Sequence, residues 1–187
     1  MDLSHFSEQS DILAFRPRPI RVPVDRPKGQ EWLNGPLVWA IDRPHSILYF
    51  FPRECPRIVV WPTTLTTSND RQYWIGSTSA RAVAYVEQDW LDRIERSTIF
   101  RYKMPFETFK AVGEVGMWVS SNVVHPLTCE VISGLPQRLE DASVELRALP
   151  SLIELKPIWN STLHVSGIRL RNAAGWGAPG WPHSTPV

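Results

Sequence analysis

Cysteine is scarce in this chain. Cys55 and Cys129 are the only two among 187 residues, and they stand far apart. Neither a disulfide framework nor a zinc-ligand spacing can be built from them, which favours a reduced, cytoplasmic setting. Lysine is also scarce, with four against sixteen arginines. The net charge is only +1, so neither an acidic tail nor a surface that coats nucleic acid is indicated. No stretch of about 18 apolar residues occurs, so no membrane span is expected. The first residues lack a basic segment followed by an apolar one, so no secretory signal is expected either. Gly-x-Gly-x-x-Gly, Walker-type and Gly-x-Ser-x-Gly strings are all missing, as is any internal repeat. His5, His45, His125 and the cysteines follow no ligand spacing, and no metal is expected.

What the chain does have is aromatic and apolar content. Hydrophobic residues make up 43%, with nine tryptophans. That suffices for one core, and the polar edge of tryptophan also suits a ligand wall. The length fits one domain, expected over residues 1–172. Residues 173–187 carry Gly, Pro, Ser and Trp without periodicity and are expected to form a flexible tail.

Leu3-Ser4-His5-Phe6 alternates and reads as a first strand. Leu37 to Ile41 reads as a buried strand, with Asp42 as the cap of a short helix through Ile47, Leu48 and Phe50. Further strands are expected at 57–61, 80–86, 98–104, 117–120, within 123–132, at 144–148 and at 165–171. Helical segments are expected at 68–75 and 88–97, as a turn at 105–107, from Leu135, and over 151–163, where Pro157 should split the helix. Short strands with unevenly placed helices and no βαβ series indicate an α+β fold with a mixed, largely antiparallel sheet and peripheral helices.

His5 and Ser7 lie two apart on the first strand and share a face, so both can present hydrogen-bonding groups to a ligand; the plain alternative is a structural histidine. Arg16, Arg18, Arg21 and Arg26 sit in a proline-stiffened stretch (residues 16–36) that could clamp an anion. Arg53 and Arg57 flank Cys55 in a second rigid loop. Cys55 has no base near it in sequence and reads as packing. Glu130 follows Pro126-Leu127-Thr128-Cys129, where a carboxylate could stabilise a ribose-centred cation; the plain alternative is an exposed edge-strand glutamate.

The strings His5-Phe6-Ser7-Glu8, Trp32-Leu33-Asn34-Gly35-Pro36-Leu37-Val38-Trp39-Ala40 and Phe51-Pro52-Arg53-Glu54-Cys55-Pro56-Arg57 resemble a bacterial family of uncharacterised proteins. Met117-Trp118-Val119-Ser120 and Ser166-Gly167-Ile168-Arg169-Leu170-Arg171-Asn172 extend that resemblance to nearly the whole chain. Over roughly the first 50 residues, the His-x-Ser strand followed by the Val-Trp-Ala strand also resembles the NAD-binding core of ADP-ribosyltransferase-like proteins. That resemblance implies NAD or another nucleotide as ligand. By it, His5 would contact the nicotinamide ribose, Trp39 would stack on nicotinamide, and Glu130 or another glutamate would act on the ribose. Ser7, Arg16, Arg18 and Arg53 would complete the ligand contacts. The chain departs from the pattern in lacking the second-strand tyrosine and any Gln-x-Glu or Glu-x-Glu motif. The competing expectation is therefore a non-enzymatic ligand-binding or protein-interaction module. The sequence does not set the oligomeric state.

Overall fold

The computed structural model describes residues 1–20 and 25–177. Ten strands follow in chain order: β1 (Leu3–Ser7), β2 (Val38–Asp42), β3 (Arg57–Trp61), β4 (Ala82–Glu87), β5 (Ile99–Met104), β6 (Lys110–Ala111), β7 (Met117–Ser120), β8 (Thr128–Ile132), β9 (Val144–Leu149) and β10 (His164–Ile168). Three short α-helices accompany them, α1 (Ser68–Asp70), α2 (Leu91–Arg96) and α3 (Leu135–Asp141), together with 3-10 turns. The fold is α+β. The chain divides into two compact units, Met1–Tyr49 with Thr98–Ser133 and Phe50–Ser97 with Gly134–Val187.

The first unit is built on an antiparallel six-stranded sheet in the order β6-β7-β2-β1-β5-β8. Alternation in β1 sends Leu3, His5 and Ser7 to one face and Ser4 and Phe6 to the other. The Leu3 face carries a core with Phe15, Val38, Ala40, Tyr102, Met104, Phe109 and Val124. Residues 9–12 close over it, because the Tyr102 hydroxyl donates to Gln9 O (2.7 Å) and accepts from Ile12 N (3.1 Å). On the opposite face Leu33, Leu37, Val112 and Val119 form a smaller cluster, with Trp39 and Met117 packed on it.

The second unit has a four-stranded sheet in the order β10-β3-β4-β9. Only β4 and β9 run parallel. All six residues of β4 are buried, so it reads as a continuous apolar run rather than an alternation. Ile58, Val60, Val83, Leu152, Leu155, Ile158 and Leu170 belong to its core. Ala173 and Trp176, inside the segment expected as a tail, are also buried there, at 6% and 3% exposure. Residues 178–187 lie outside the described residues.

The turn expected from Pro105 is present: Phe109 N donates to Phe106 O (3.0 Å), delivering Phe109 to the core. Two local expectations are corrected. Pro157 does not split its segment, which runs as a 3-10 helix from Ile153 to Asn160. Leu152, Leu155 and Ile158 are buried at a spacing of three, the period of a 3-10 rather than an α-helix. The last strand ends at Ile168, because Arg169 adopts φ +57° and turns the chain so that Leu170 enters the core.

Asp70 ties α1 to the chain before β10. Its carboxylate accepts from Thr162 N (2.8 Å) and Oγ1 (2.6 Å), and these bonds hold its pKa below the ordinary 3.8. A depressed carboxylate contributes stability above its unfolded pKa and loses it as the pH falls through the folded value. Asp70→Asn is therefore expected to flatten the acid limb of the stability profile below about pH 4 while leaving the neutral region less affected, as read by urea midpoints at stepped pH.

Candidate functional site

The site grows from a defect in the first sheet. β1 pairs with β5 along its whole length, Leu3 to Ser7, but with β2 only at Leu3↔Asp42 and Ser4↔Ile41. The two strands part after Ser4. His5 bridges the gap: its Nδ1 lies 2.8 Å from Trp39 O. A carbonyl only accepts, so the imidazole carries its proton on Nδ1 and supplies the donor that a continued ladder would have supplied. The ring is steadied by Phe15, with centroids 4.6 Å apart.

At this splay lies a small, open-sided recess of about 50 Å³, lined by Ser4, His5, Phe6, Trp39, Ala40, Ile41, Tyr49 and Met117. One wall is the Phe6–Tyr49 pair, stacked at 5.9 Å with planes 5° apart. The Tyr49 hydroxyl reaches Met117 Sδ at 3.8 Å. Tyr49 ends the 3-10 turn Ser46–Tyr49, which Asp42 starts: its Oδ1 accepts from His45 N (3.0 Å) and meets His45 Nδ1 (2.7 Å). The capping role expected of Asp42 is thus realised as an Asx-type turn at the end of β2.

Trp39 has a second neighbour. The Arg26 guanidinium stands 5.9 Å from its ring centroid and is ion-paired with Glu114. Arg26 Nε and Trp39 Nε1 are buried without a hydrogen-bond partner. The volume of the recess is far below the roughly 300–1,000 Å³ of pockets that enclose drug-sized ligands, so a ring would rest against its aromatic wall rather than be enclosed by it.

Of the residues singled out from sequence, His5 and Trp39 meet at the recess. Ser7 does not line it: Ser7 is buried, and its Oγ accepts from Gln9 N (3.1 Å) at the turn leaving β1. Arg16 and Arg18 are exposed and flank no part of the recess; Arg18 is held through its backbone, which exchanges hydrogen bonds with Leu37. Arg21 lies outside the described residues. Arg53 belongs to the second unit, where its carbonyl accepts from Arg169 Nε (3.2 Å).

Glu130 stands on β8, exposed and ion-paired with Arg101. The register Phe6↔Arg101↔Glu130 puts it two strands from β1, on the sheet face opposite to that of His5. His5 and Glu130 are therefore not brought together. Phe6, Tyr49 and Met117 carried no sequence signal beyond apolarity, because only the splay of β1 from β2 makes them a lining.

The tryptophans do not converge on one hollow. Trp39 lines the recess, Trp32 is 52% exposed, Trp118 packs edge-on to Phe106, and Trp61 stacks on His164 in the second unit. Cys55 is packing: it is buried, donates to Pro56 O (3.5 Å), and burial pushes its thiol up to about 12. No helix among the described residues is long and apolar enough to cross a membrane.

No curated protein and no solved structure gives a significant match to the chain. One family model does match, over residues 4–173, and its description is Family of unknown function (DUF6886). The match covers both units almost from end to end, so the chain belongs to this family of unknown function.

Proposed function

We propose that the first unit is a nucleotide-binding module that seats one planar ring, the nicotinamide end of NAD, in the recess where β1 parts from β2. The observation that carries this reading is the Phe6–Tyr49 stack that lines the recess beside Trp39. An aromatic wall contributes contact area at little entropic cost and adds stacking energy of about 0.5–1.5 kcal/mol per ring pair. His5 acts as a positioning residue: by closing on Trp39 O it holds the gap at a fixed width. ADP-ribosyl transfer would need a carboxylate at the ribose, and Glu130 does not line the recess. Binding is accordingly the function proposed for this site, with a whole dinucleotide extending from the recess over the surface.

Calorimetric titration tests it. NAD and free nicotinamide should both release heat on binding, NAD the more tightly, with dissociation constants in the range of about 0.1–1 mM expected of a single stacked ring. Tyr49→Ala removes one wall and should weaken both at least tenfold while the far-ultraviolet dichroism is retained. Absence of heat with the folded protein at several millimolar NAD would remove the reading.

A further inference from the structure

Two stretches that stand out in the sequence, residues 51–57 and 166–172, meet in the second unit. β10 pairs with β3 as far as Ile168↔Arg57, so the residues leaving β10 run alongside those entering β3. Side chains then stitch the two segments together. Arg169 Nε donates to Arg53 O (3.2 Å), and Asn172 Nδ2 donates to Glu54 O (2.7 Å) and to Glu54 Oε2 (3.0 Å). Arg171 reaches the same Oε2 at 3.4 Å. The segment before β3 is itself fixed, because Cys55 N donates to Pro52 O (3.0 Å) between two prolines, Pro52 and Pro56.

Three guanidiniums are thereby gathered about one carboxylate. Burial opposes ionisation of Glu54, yet the Asn172 bond and the charges of Arg169, Arg171 and Arg53 hold its carboxyl below the ordinary 4.5. Closed arginine–carboxylate pairs stand at about 2.7–2.9 Å. Glu54 is 3.4 Å from Arg171 and 3.8 Å from Arg169 Nε, so neither guanidinium is closed upon it. Arg53 and Arg171 are exposed and Arg169 is half-buried, which leaves the cluster open to solvent. Arg169 also holds φ +57°, a conformation that glycine would adopt without strain. An arginine kept at such a position points to a use for its side chain.

We propose that Arg53, Arg169 and Arg171 bind a phosphate group in its dianionic form, with Glu54 as the counter-charge that holds the guanidiniums spread before the ligand arrives. Charge selects the ligand. Three guanidiniums set against one carboxylate give the cluster a formal excess of two positive charges. A phosphomonoester carries about −1.5 to −2 at pH 7, whereas a carboxylate ligand supplies one charge only. The planar fork of arginine presents paired N–H groups that match phosphate oxygens. A polynucleotide would need a wider basic field, and the net charge of the whole chain is +1. Since the two segments are already tied to each other, little ordering remains to oppose binding.

The test follows the Nε–H resonances of the arginines on the full chain in low-salt buffer. Phenyl phosphate and inorganic phosphate should each move those of Arg169 and Arg171, with dissociation constants of about 1 mM. Tighter binding of phenyl phosphate would mark an esterified phosphate as the ligand, and tighter binding of inorganic phosphate the free ion; both support the site. Benzoate, the same ring on a monoanion, should bind at least tenfold more weakly. Phenyl phosphate itself should weaken severalfold as the pH falls below about 6, where the second phosphate proton returns. Arg171→Gln should lose at least tenfold in affinity. Glu54→Gln keeps an oxygen for Asn172 and removes the competing charge, so it should bind more tightly. Arg16→Gln, at an exposed arginine of the first unit, should change nothing. No shift at about 20 mM of either phosphate overturns the proposal. So does benzoate binding as tightly as phenyl phosphate, or an equal loss in Arg16→Gln and Arg171→Gln, which would leave only a general attraction to positive charge.

Discussion

Glu87→Ala is expected to cost about 3–5 kcal/mol of stability, enough to threaten the fold of the second unit. Glu87 ends β4 and is 5% exposed. Its carboxylate accepts from Ala174 N with both oxygens (3.0 and 3.2 Å) and from Leu152 N (3.5 Å). Hydrogen bonds to a charged group contribute about 1.5–3 kcal/mol each, and removing the acceptor leaves the buried Leu152 N–H and the part-buried Ala174 N–H unmet. The loss propagates, because Ala174 lies between Ala173 and Trp176, which both pack in the core. Glu87→Gln keeps one acceptor oxygen and should lose about half as much. Urea unfolding followed by tryptophan fluorescence measures both; a loss under 1 kcal/mol for the alanine variant would show that the segment after Leu170 is held by packing alone.

Gly116→Ala should be the most damaging single methyl in the first unit, at about 2–4 kcal/mol. Gly116 has φ +75°, which L side chains rarely adopt, and a Cβ there would stand 2.6 Å from His45 Nδ1 and 2.7 Å from its Cβ. The imidazole could swing aside, but the Cβ of His45 moves only with its backbone. That backbone is held by Asp42, whose own N–H donates to Gly116 O (2.9 Å). The variant must therefore loosen the turn that carries Tyr49, the wall of the recess. Thermal unfolding should shift downward, and nicotinamide affinity should fall with it. A variant with unchanged melting temperature would mean that the His45 turn is more compliant than its hydrogen bonds imply.

Much of the secondary structure was legible because its signals are local. Ile58 to Trp61 is an apolar run closed by Pro62, and Gly76 ends the helical segment before it with φ +75°. The α+β class followed from strands and helices that never settle into a βαβ rhythm. What sequence could not report is which strands pair: β1 lies between β2 and β5, and β5 is more than ninety residues away along the chain. The site depended on that pairing. His5 was legible as a polar group in an apolar strand, yet its partner turned out to be a backbone carbonyl, which has no residue type to betray it. Ser7 looked equivalent to His5 by alternation and differs because β1 ends there and the hydroxyl serves the turn. Glu130 drew attention as a carboxylate in an extended segment. Its place on the outer strand, opposite in face to His5, is a matter of register, and a one-residue shift would have reversed it.

The most direct measurement of the central claim is an aromatic nuclear Overhauser experiment on the protein saturated with NAD. The account predicts cross-peaks from the nicotinamide ring protons to the rings of Phe6 and Tyr49, with an amide shift at Ala40 where the strands part. Cross-peaks confined to residues outside the recess, or none at saturation, would contradict it.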